Sequence, residues 1–480
     1  MAIREPRGGT RVRPAAAGGK RRFTRALDAD GLTMLTLGGV MGSGLFLASG
    51  LAIRAAGTGI ILLFAVGLLA MSLEITALGE MSAADPVPGS FLVYCRRVLG
   101  PGWTFVSGWI YWFSSVLTMS SEVTAAGILT RVWFSGVPLW IWSLLYSALI
   151  VGVNLVGVRS FGTIEAGMAV IKVGAVLAFV ALGVAFLAGW LPHAASPGGG
   201  LAALAHVSSF APHGILVMSS GMLLVLFAYA GTGVIGMAAA ETRDPARTIP
   251  AAVRGTIVLV AVMYLGSSVL LVTMRSWLAA PTASSPFVAA LAATGLPLVA
   301  GIMNLVLLFA VLSTMNAALY ANVRVLYTLA KEHQAPGYLG RLNRHGVPAL
   351  ATAASALLLV GTITLALFLP HKAYTYLVTA TGFQAMFIWL MVLTTHLRYR
   401  PYLLRQGKAL PYRLWGYPYT TILTMLIVVA ALGAALFAGL DVTGSVFGLI
   451  GILLAVLIWV LARGRLAPAM ARDPSPPGGQ

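Results

Sequence analysis

Two glycine-rich segments interrupt long apolar stretches, and their main-chain groups could hold a small charged ligand. The first segment is 38–44 (GGVMGSG) and the second is 229–236 (YAGTGVIG). Glycine allows a helix to unwind and lets the backbone approach a ligand closely. The N–H and C=O groups freed in this way find no partner in lipid, so a bound ligand can satisfy them. Helix N-termini attract a carboxylate, and free carbonyls attract an ammonium.

The glycine segments have two interpretations. Small residues at helical spacing also let helices pack closely, as in GxxxG motifs. The two segments, however, open two successive sets of five apolar stretches. Paired glycine-broken helices at corresponding positions are typical of inverted-repeat transporters and mark their binding site. We therefore favour a binding site at both breaks.

Two ionisable residues, Lys172 and Glu122, lie well inside apolar stretches. A charged lysine near the bilayer centre costs about 2.5–3.5 kcal/mol, so some interaction must stabilise Lys172. Burial favours the neutral amine, which would allow Lys172 to bind and release a proton. The alternative is a permanent structural cation or a side chain that snorkels to the interface. Glu122 is either a proton acceptor or a polar brace.

Other polar residues have weaker signals. Ser313, Asn316 and Tyr320 are three and four residues apart and so share one helix face, which lines a pathway or bonds to neighbouring helices. Glu74 and Glu80 fall late in the second apolar stretch, where contacts with an inner loop are expected.

For the remaining candidates, a structural role is at least as well supported as a functional one. Asp244, Arg247 and Thr248 form either a gate salt bridge or a simple loop anchor, and Glu165 is expected on the solvated surface. The single cysteine, Cys95, excludes an internal disulfide, and the seven histidines show no ligand spacing. We predict no catalytic residue and no metal site.

The elements that must position these residues are membrane-spanning helices. The chain of 480 residues is 59% hydrophobic and 9% charged, with a mean hydropathy of +0.91, which predicts an all-α membrane protein that contacts the lipid bilayer. About twelve spans are expected, at 32–52, 58–83, 102–130, 139–156, 163–189, 215–241, 252–274, 296–330, 348–370, 373–397, 418–438 and 442–462.

The distribution of positive charge predicts the orientation. Of the 31 Lys and Arg residues, 25 fall in segments on the side of the N-terminus and 4 on the opposite side. Because cytoplasmic loops retain positive charge, we expect both termini in the cytoplasm. The net charge of +18 is spread over short loops, so it predicts contact with anionic headgroups and no nucleic-acid partner. Residues 1–24 and 466–480 are predicted to be disordered cytoplasmic tails.

Several motifs in order resemble bacterial amino acid permeases of the amino acid–polyamine–organocation superfamily. The resemblance covers about 25–465 and is strongest to the branch that includes proline and 4-aminobutyrate permeases. The motifs include TLGGVMGSGLF at 36–46, ALGEM at 77–81, GWIYW at 108–112, FAYAGT at 227–232 and DPARTIP at 244–250.

This resemblance implies a fold and a mode of action. The fold is the leucine-transporter-like five-plus-five inverted repeat, with repeats at about 30–190 and 213–397 and helices 1 and 6 unwound at mid-membrane. Two additional helices follow at about 418–462, within a transporter domain of 25–465. The implied action is alternating access with proton-coupled uptake, with no cofactor other than the coupling proton.

The resemblance also implies a substrate site at the two breaks. A substrate carboxylate would meet main-chain N–H groups after the first break, and its ammonium would meet carbonyls of both breaks. Phe227 or Tyr229 would close over the substrate as a gate, or simply pack. Lys172 would bridge helices 1 and 5, and Gly233 replaces an acidic residue common in the branch, which favours a neutral substrate. The predicted substrate-binding residues are Met41, Gly42, Ser43, Gly44, Phe227, Ala228, Tyr229 and Gly231.

We therefore predict a transporter of the bacterial inner membrane that imports amino acids by proton symport. An amino acid or amine exchanger is the first alternative, and a membrane nutrient sensor is the second. A channel would need a continuous polar lining, and a membrane enzyme would need a metal or nucleophile cluster; neither pattern is found. The sequence leaves the amino acid carried and the oligomeric state open.

Overall fold

Helices make up nearly all of the chain in the computed structural model, which confirms the all-α class. The structure describes residues 27–87, 89, 91–156, 161–190, 210–274, 284–295, 297–343, 347–369, 372–438 and 442–471, with the backbone alone for 156, 161–166, 365, 366 and 465–471. The predicted tail at 1–24, most of the tail at 466–480 and the side chain of Glu165 lie outside this part of the chain.

Twelve helical spans follow one another in the described ranges. Seven are by themselves long and apolar enough to cross a membrane, and the bent pair in span 1 makes an eighth. Their bounds are Ala29–Val40 with Gly44–Ala48 and Ser49–Ala56 (span 1), Ile60–Ala84 (2), Pro101–Thr130 (3), Leu139–Val156 (4), Phe161–Leu187 (5), Ile215–Ala228 with Val234–Ala238 (6), Pro245–Val260 with Ala261–Leu265 and Gly266–Met274 (7), Pro297–Lys331 (8), Ala349–Phe368 (9), Ala373–Arg405 (10), Tyr419–Ala438 (11) and Val442–Ala471 (12).

Some boundaries differ from the hydropathy-based prediction. Span 10 continues to Arg405, beyond the predicted end at 397. Hydropathy marks only the apolar part of a helix, and here the helix continues into polar residues. Span 7 begins at Pro245 instead of 252, with proline at a helix start where its missing N–H has no cost. Two short helices, Phe91–Leu99 and Pro286–Ala292, connect spans 2 to 3 and 7 to 8 and were not predicted.

Span 1 is broken where its glycines lie. Asp28 caps the first half by accepting a hydrogen bond from Gly31 N–H at 2.9 Å, and the α-helix ends at Val40. The second half begins with a π-helical turn at Gly44–Ala48. The two halves are bent by 49° relative to each other, so the predicted break is confirmed.

Span 6 is broken at the second glycine segment. Its first half ends at Ala228, and a short second half begins at Val234. Gly231 has a φ of +108°, and a Cβ on it would collide with the carbonyl oxygen of Gly39 in span 1. The left-handed backbone and the close approach both require glycine here, and they bring the two breaks together.

An electrostatic cluster joins the end of span 2 to span 10 and the loop that follows it. Asp85 accepts hydrogen bonds from Tyr399 at 2.5 Å and from Lys408 at 3.0 Å, and it pairs with Arg97. Burial opposes the charged carboxylate, but the bonds from Tyr399, Lys408 and Arg97 outweigh it and lower the pKa of Asp85 below its ordinary value. The short helix Phe91–Leu99 is thereby held against span 10.

Glu80 makes the inner contacts predicted for it. Its carboxylate lies 3.3 Å from Arg400 and 3.4 Å from His396, both on span 10. It also accepts a hydrogen bond of 2.6 Å from Leu414 N–H in the following loop. Glu80 therefore fastens span 2 to span 10 and to the loop before span 11.

Candidate functional site

A cavity of about 130 Å³ lies between the two helix breaks. Its wall is formed by Gly39, Val40, Gly42, Gly44, Glu74, Phe91, Tyr111, Ser114, Ser115, Thr118, Glu122, Phe227, Ala230, Gly231, Gly233, Val234, Thr314, Ala317, Ala318, Ala321, Ala385, Ile388, Trp389 and Val392.

Glu122 reaches from span 3 into the first break. Its carboxylate accepts the main-chain N–H of Ser43 at 3.0 and 3.1 Å and the Ser43 hydroxyl at 3.0 Å. The N–H group expected to bind a substrate carboxylate thus has a carboxylate of the protein on it. A substrate carboxylate at this break stays a prediction, and the sequence did not indicate that Glu122 bonds to the same N–H.

Lys172 extends from span 5 to span 1. Its ammonium donates to the Gly38 carbonyl oxygen at 2.8 Å and to Thr314 Oγ1 at 3.1 Å. The side chain is 1% exposed, so the alternative of a snorkelling lysine is wrong. Lys172 instead ties the first half of span 1 to spans 5 and 8.

The carbonyls freed by the breaks are largely satisfied by side chains. Thr314 Oγ1 donates to the Met41 carbonyl at 2.8 Å. The Tyr264 hydroxyl lies 3.0 Å from the Ala228 carbonyl and 3.3 Å from that of Val40. The Met41 and Ala228 carbonyls, which were expected to meet a substrate ammonium, thus each have a hydroxyl donor, because unpaired carbonyls away from water are costly. Their contact with a substrate stays a prediction.

Tyr264 contacts both broken spans and was not predicted from the sequence. It lies in the π-helical turn Ala261–Leu265 of span 7, a distortion that often marks functional positions. It is fully buried, and its hydroxyl links span 1 to span 6. A single tyrosine in an apolar run gives no signal for such a role.

The two aromatic candidates for a gate have different environments. Phe227 lines the cavity. Tyr229 is fully buried, donates to the Phe64 carbonyl at 2.9 Å and stacks on Tyr264 at 4.8 Å between ring centroids. Of the two gate candidates, Phe227 is the one on the cavity wall, whereas Tyr229 packs between spans 2 and 7.

Span 8 turns a different face to the cavity from the one predicted. Asn316 accepts a hydrogen bond of 2.7 Å from Asn154 in span 4. The Tyr320 ring carries the Arg324 guanidinium at 3.8 Å, and Ser313 is fully buried. The polar face therefore binds neighbouring groups, and the cavity wall is formed by Thr314, Ala317, Ala318 and Ala321.

Glu74 is a second carboxylate on the cavity wall. It is 1% exposed, and its Oε2 accepts a hydrogen bond of 2.8 Å from Thr232 in the break of span 6. The prediction of an inner-loop contact for Glu74 is wrong, since the residue lies too far from the helix end. A charge near the middle of an apolar span was the available signal.

The predicted gate pair after span 6 is a local contact. Arg247 lies 3.8 Å from Asp244, and both side chains are well exposed. An ion pair between elements forms nearby, where Arg324 of span 8 lies 3.1 Å from Glu241. Main-chain bonds of Leu27 to Glu241 and Arg243 also hold the start of span 1 to this segment.

The two broken helices around a shared cavity define a secondary transporter of the leucine-transporter-like class, with a five-plus-five inverted repeat and two further helices. A solved manganese transporter variant from Eremococcus coleocola has the same fold, with a TM-score of 0.58, 13% identity, and coverage of 93% of this chain and 95% of its own.

The chain belongs to the amino acid permease family, whose profile matches residues 31–432. It is 33% identical over 432 residues to the gamma-aminobutyric acid permease of Bacillus subtilis, and this alignment covers 89% of this chain and 92% of the relative. It is 36% identical over 402 residues to an aromatic amino acid transport protein of Corynebacterium glutamicum, at 83% and 86% coverage. The protein is an amino acid transporter of the membrane and not an enzyme.

Proposed function

We propose that this protein imports an amino acid across the bacterial inner membrane by proton symport with alternating access. The observation that carries the proposal is the Glu122 carboxylate on the Ser43 N–H and hydroxyl. This group stands at the start of the second half of span 1, where the helix dipole favours an anion. The substrate carboxylate and Glu122 therefore compete for one site.

That competition provides a physical basis for coupling. Two carboxylates cannot both accept the Ser43 N–H, and their charges repel. A proton on Glu122 removes its charge and weakens it as an acceptor. The amino acid carboxylate can then take the N–H of Ser43, so substrate and proton enter together.

Lys172 would transmit the change to the helices. As an ammonium it holds the Gly38 carbonyl and Thr314. An uncharged amine donates weaker hydrogen bonds, so loss of its proton would loosen span 1 from spans 5 and 8. Movement of the first half of span 1 is the step that alternating access requires.

The driving force is sufficient for accumulation. One charge that crosses 100 mV releases about 2.3 kcal/mol, which corresponds to about a fifty-fold concentration ratio. Glu122 and Lys172 are in this proposal the proton-coupling residues, and the proton is the coupling ion.

The predicted preference for a neutral substrate needs a new argument. It depended on the absence of an acid at Gly233. Glu74 reaches the neighbouring Thr232 from span 2, so the break of span 6 has a carboxylate nearby after all. The side-chain charge that the site favours in a substrate then depends on Glu74.

Exchange of amino acids or amines is the alternative function, and it differs in what it requires. An exchanger needs a substrate on both sides, whereas a symporter needs a proton gradient. In proteoliposomes without internal amino acid, we expect uptake of a radiolabelled substrate that acidifies the lumen and stops with an uncoupler. Uptake that requires internal amino acid would contradict symport, and binding without flux would indicate a sensor.

The coupling residues are tested by Lys172→Ala and Glu122→Gln. We expect Lys172→Ala to lose the pH dependence of uptake. Glu122→Gln, an uncharged analogue of the protonated acid, should bind substrate with little dependence on pH and should uncouple flux from proton entry. Initial uptake rates between pH 5 and 8, with a pH-sensitive dye inside the liposomes, measure both effects.

The matched control is Glu332→Gln, which removes a carboxylate that pairs with Arg96 outside the cavity. Its pH profile should follow the unmodified protein. An unchanged profile in Lys172→Ala or Glu122→Gln would remove that residue from the coupling mechanism.

A further inference from the structure

Glu74 is a carboxylate that the proposed coupling does not use. It lies near the middle of span 2, is 1% exposed and lines the cavity. Thr232 donates a hydrogen bond of 2.8 Å to its Oε2. The carboxylate thereby bonds to the break of span 6.

The surroundings of Glu74 lack a positive charge. No lysine, arginine or histidine nitrogen of the described residues lies within 4.0 Å of its carboxylate, whereas Glu80, Asp85, Glu241 and Glu332 each have such a partner. A buried carboxylate without a cation is costly, since its lost hydration is not replaced. A ligand that brings a cation into the cavity would therefore be stabilised there.

The cavity wall as a whole also favours a positively charged ligand. Its described side chains include two carboxylates, Glu74 and Glu122, and no lysine, arginine or histidine. Glu122 already accepts hydrogen bonds from the Ser43 N–H and hydroxyl. Glu74 is the acid left to interact with the substrate.

We propose that Glu74 binds the positively charged side chain of the substrate, so that the protein carries amino acids with a side-chain ammonium or guanidinium. This inference rests on the proposed function, because it assumes that an amino acid binds in this cavity. With the substrate carboxylate at Ser43, the side chain extends toward Thr232 and Glu74. Ala317 and Ala318 also line the cavity, and their small side chains leave room for it.

The direct test compares L-lysine with L-norleucine, two amino acids of equal chain length that differ by the side-chain ammonium. Equilibrium binding to the purified full-length protein in detergent gives the two affinities. We expect L-lysine to bind at least about tenfold more tightly, as for a charge-assisted hydrogen bond. Equal binding, or tighter binding of L-norleucine, would overturn the inference.

Variants locate the charge. Glu74→Gln keeps an acceptor for Thr232 but removes the charge, and should lower L-lysine affinity at least about tenfold while L-norleucine changes little. In the background of Glu74→Gln, Gly233→Asp returns a carboxylate to the same wall. A Cβ at Gly233 meets no atom within 4 Å, so the double variant should fold and regain the preference for L-lysine.

The outcomes separate this inference from the proposed function. If neither probe nor any other amino acid binds or is transported, the proposed function fails. If neutral amino acids are transported and L-lysine is not, transport stands and the role of Glu74 fails. Glu74→Gln could abolish the pH dependence of uptake and leave the ratio of the affinities for L-lysine and L-norleucine unchanged. In that case Glu74 carries a proton, and the inference is likewise overturned.

Discussion

Gly42 has no room for a side chain between spans 3 and 8. A Cβ at this position would lie 2.5 Å from Glu122 Oε1 and 2.7 Å from Thr314 Cγ2. At Gly44 a Cβ would lie 2.7 Å from the Ala228 Cα. The glycines that open the helix therefore also permit close packing, as the small-residue interpretation of the first segment predicts.

Gly42→Ala should impair substrate binding more than stability. The added methyl group must displace the Glu122 carboxylate or Thr314, and so disturbs the Ser43 site and the contact of Lys172. We expect at least about a tenfold loss of substrate affinity, equivalent to about 1.4 kcal/mol. Equilibrium binding with the detergent-purified protein measures it.

Gly152→Ala is the control for this change. Gly152 is an exposed residue within span 4, and its Cβ position is open. Alanine there should leave binding unchanged and stabilise the helix by up to about 1 kcal/mol. If Gly42→Ala binds substrate as well as Gly152→Ala does, the crowding at Gly42 has no functional consequence.

At the scale of elements, the breaks are held open by partners on spans 7 and 10. Tyr264 bonds to carbonyls of spans 1 and 6, and the Tyr374 hydroxyl donates to the Ser43 carbonyl at 2.9 Å. The sequence predicted that a substrate would complete these groups. The protein completes several of them itself, which keeps the unwound backbone stable between transport steps.

Tyr264→Phe should destabilise the junction of the broken helices. It removes the one O–H that the Ala228 carbonyl accepts at 3.0 Å, at a cost of about 1–3 kcal/mol for a group left unpaired. We expect a lower midpoint of thermal unfolding in detergent. We also expect a smaller rise of that midpoint when substrate is added. Tyr338→Phe, whose side chain is 54% exposed, is the matched control.

An unchanged midpoint in Tyr264→Phe would show that the tyrosine adds nothing to the junction. A lower midpoint with unchanged substrate affinity would make the hydroxyl purely structural. The two measurements together therefore distinguish a positioning role from a stabilising one.

At the scale of the whole molecule, the chain is a helix bundle, and its orientation in the membrane was inferred from the lysine and arginine residues of its loops. Cys95 is the single cysteine and is fully buried, so the unmodified protein is a suitable background for labelling. Ser135, between spans 3 and 4, and Gln406, after span 10, are both exposed. They lie at opposite ends of the bundle.

Single replacements at these positions test the proposed cytoplasmic termini. In intact cells, a membrane-impermeant maleimide should label Ser135→Cys, and it should label Gln406→Cys only after permeabilisation. The unmodified protein should stay unlabelled because Cys95 is inaccessible. The reverse pattern would contradict the orientation inferred from the lysine and arginine distribution.

The sequence by itself determined the all-helical membrane class, the twelve spans and the positions of both breaks. Hydropathy reports directly on the lipid that surrounds each span, and glycine reports on local backbone freedom, so both can be read without knowledge of the neighbours. The mid-membrane positions of Lys172 and Glu122 were visible for the same reason.

Only the tertiary structure decided which groups meet at the breaks. Successive residues of a helix are rotated by about 100°, so the two-residue step from Thr314 to Asn316 is a rotation of about 200° and places the predicted face of span 8 away from the face that lines the cavity. The bond of Glu122 to Ser43, that of Tyr264 to Ala228 and that of Glu74 to Thr232 join residues far apart in the chain. Such pairs depend on how every helix is rotated and packed, which no local pattern in the sequence records.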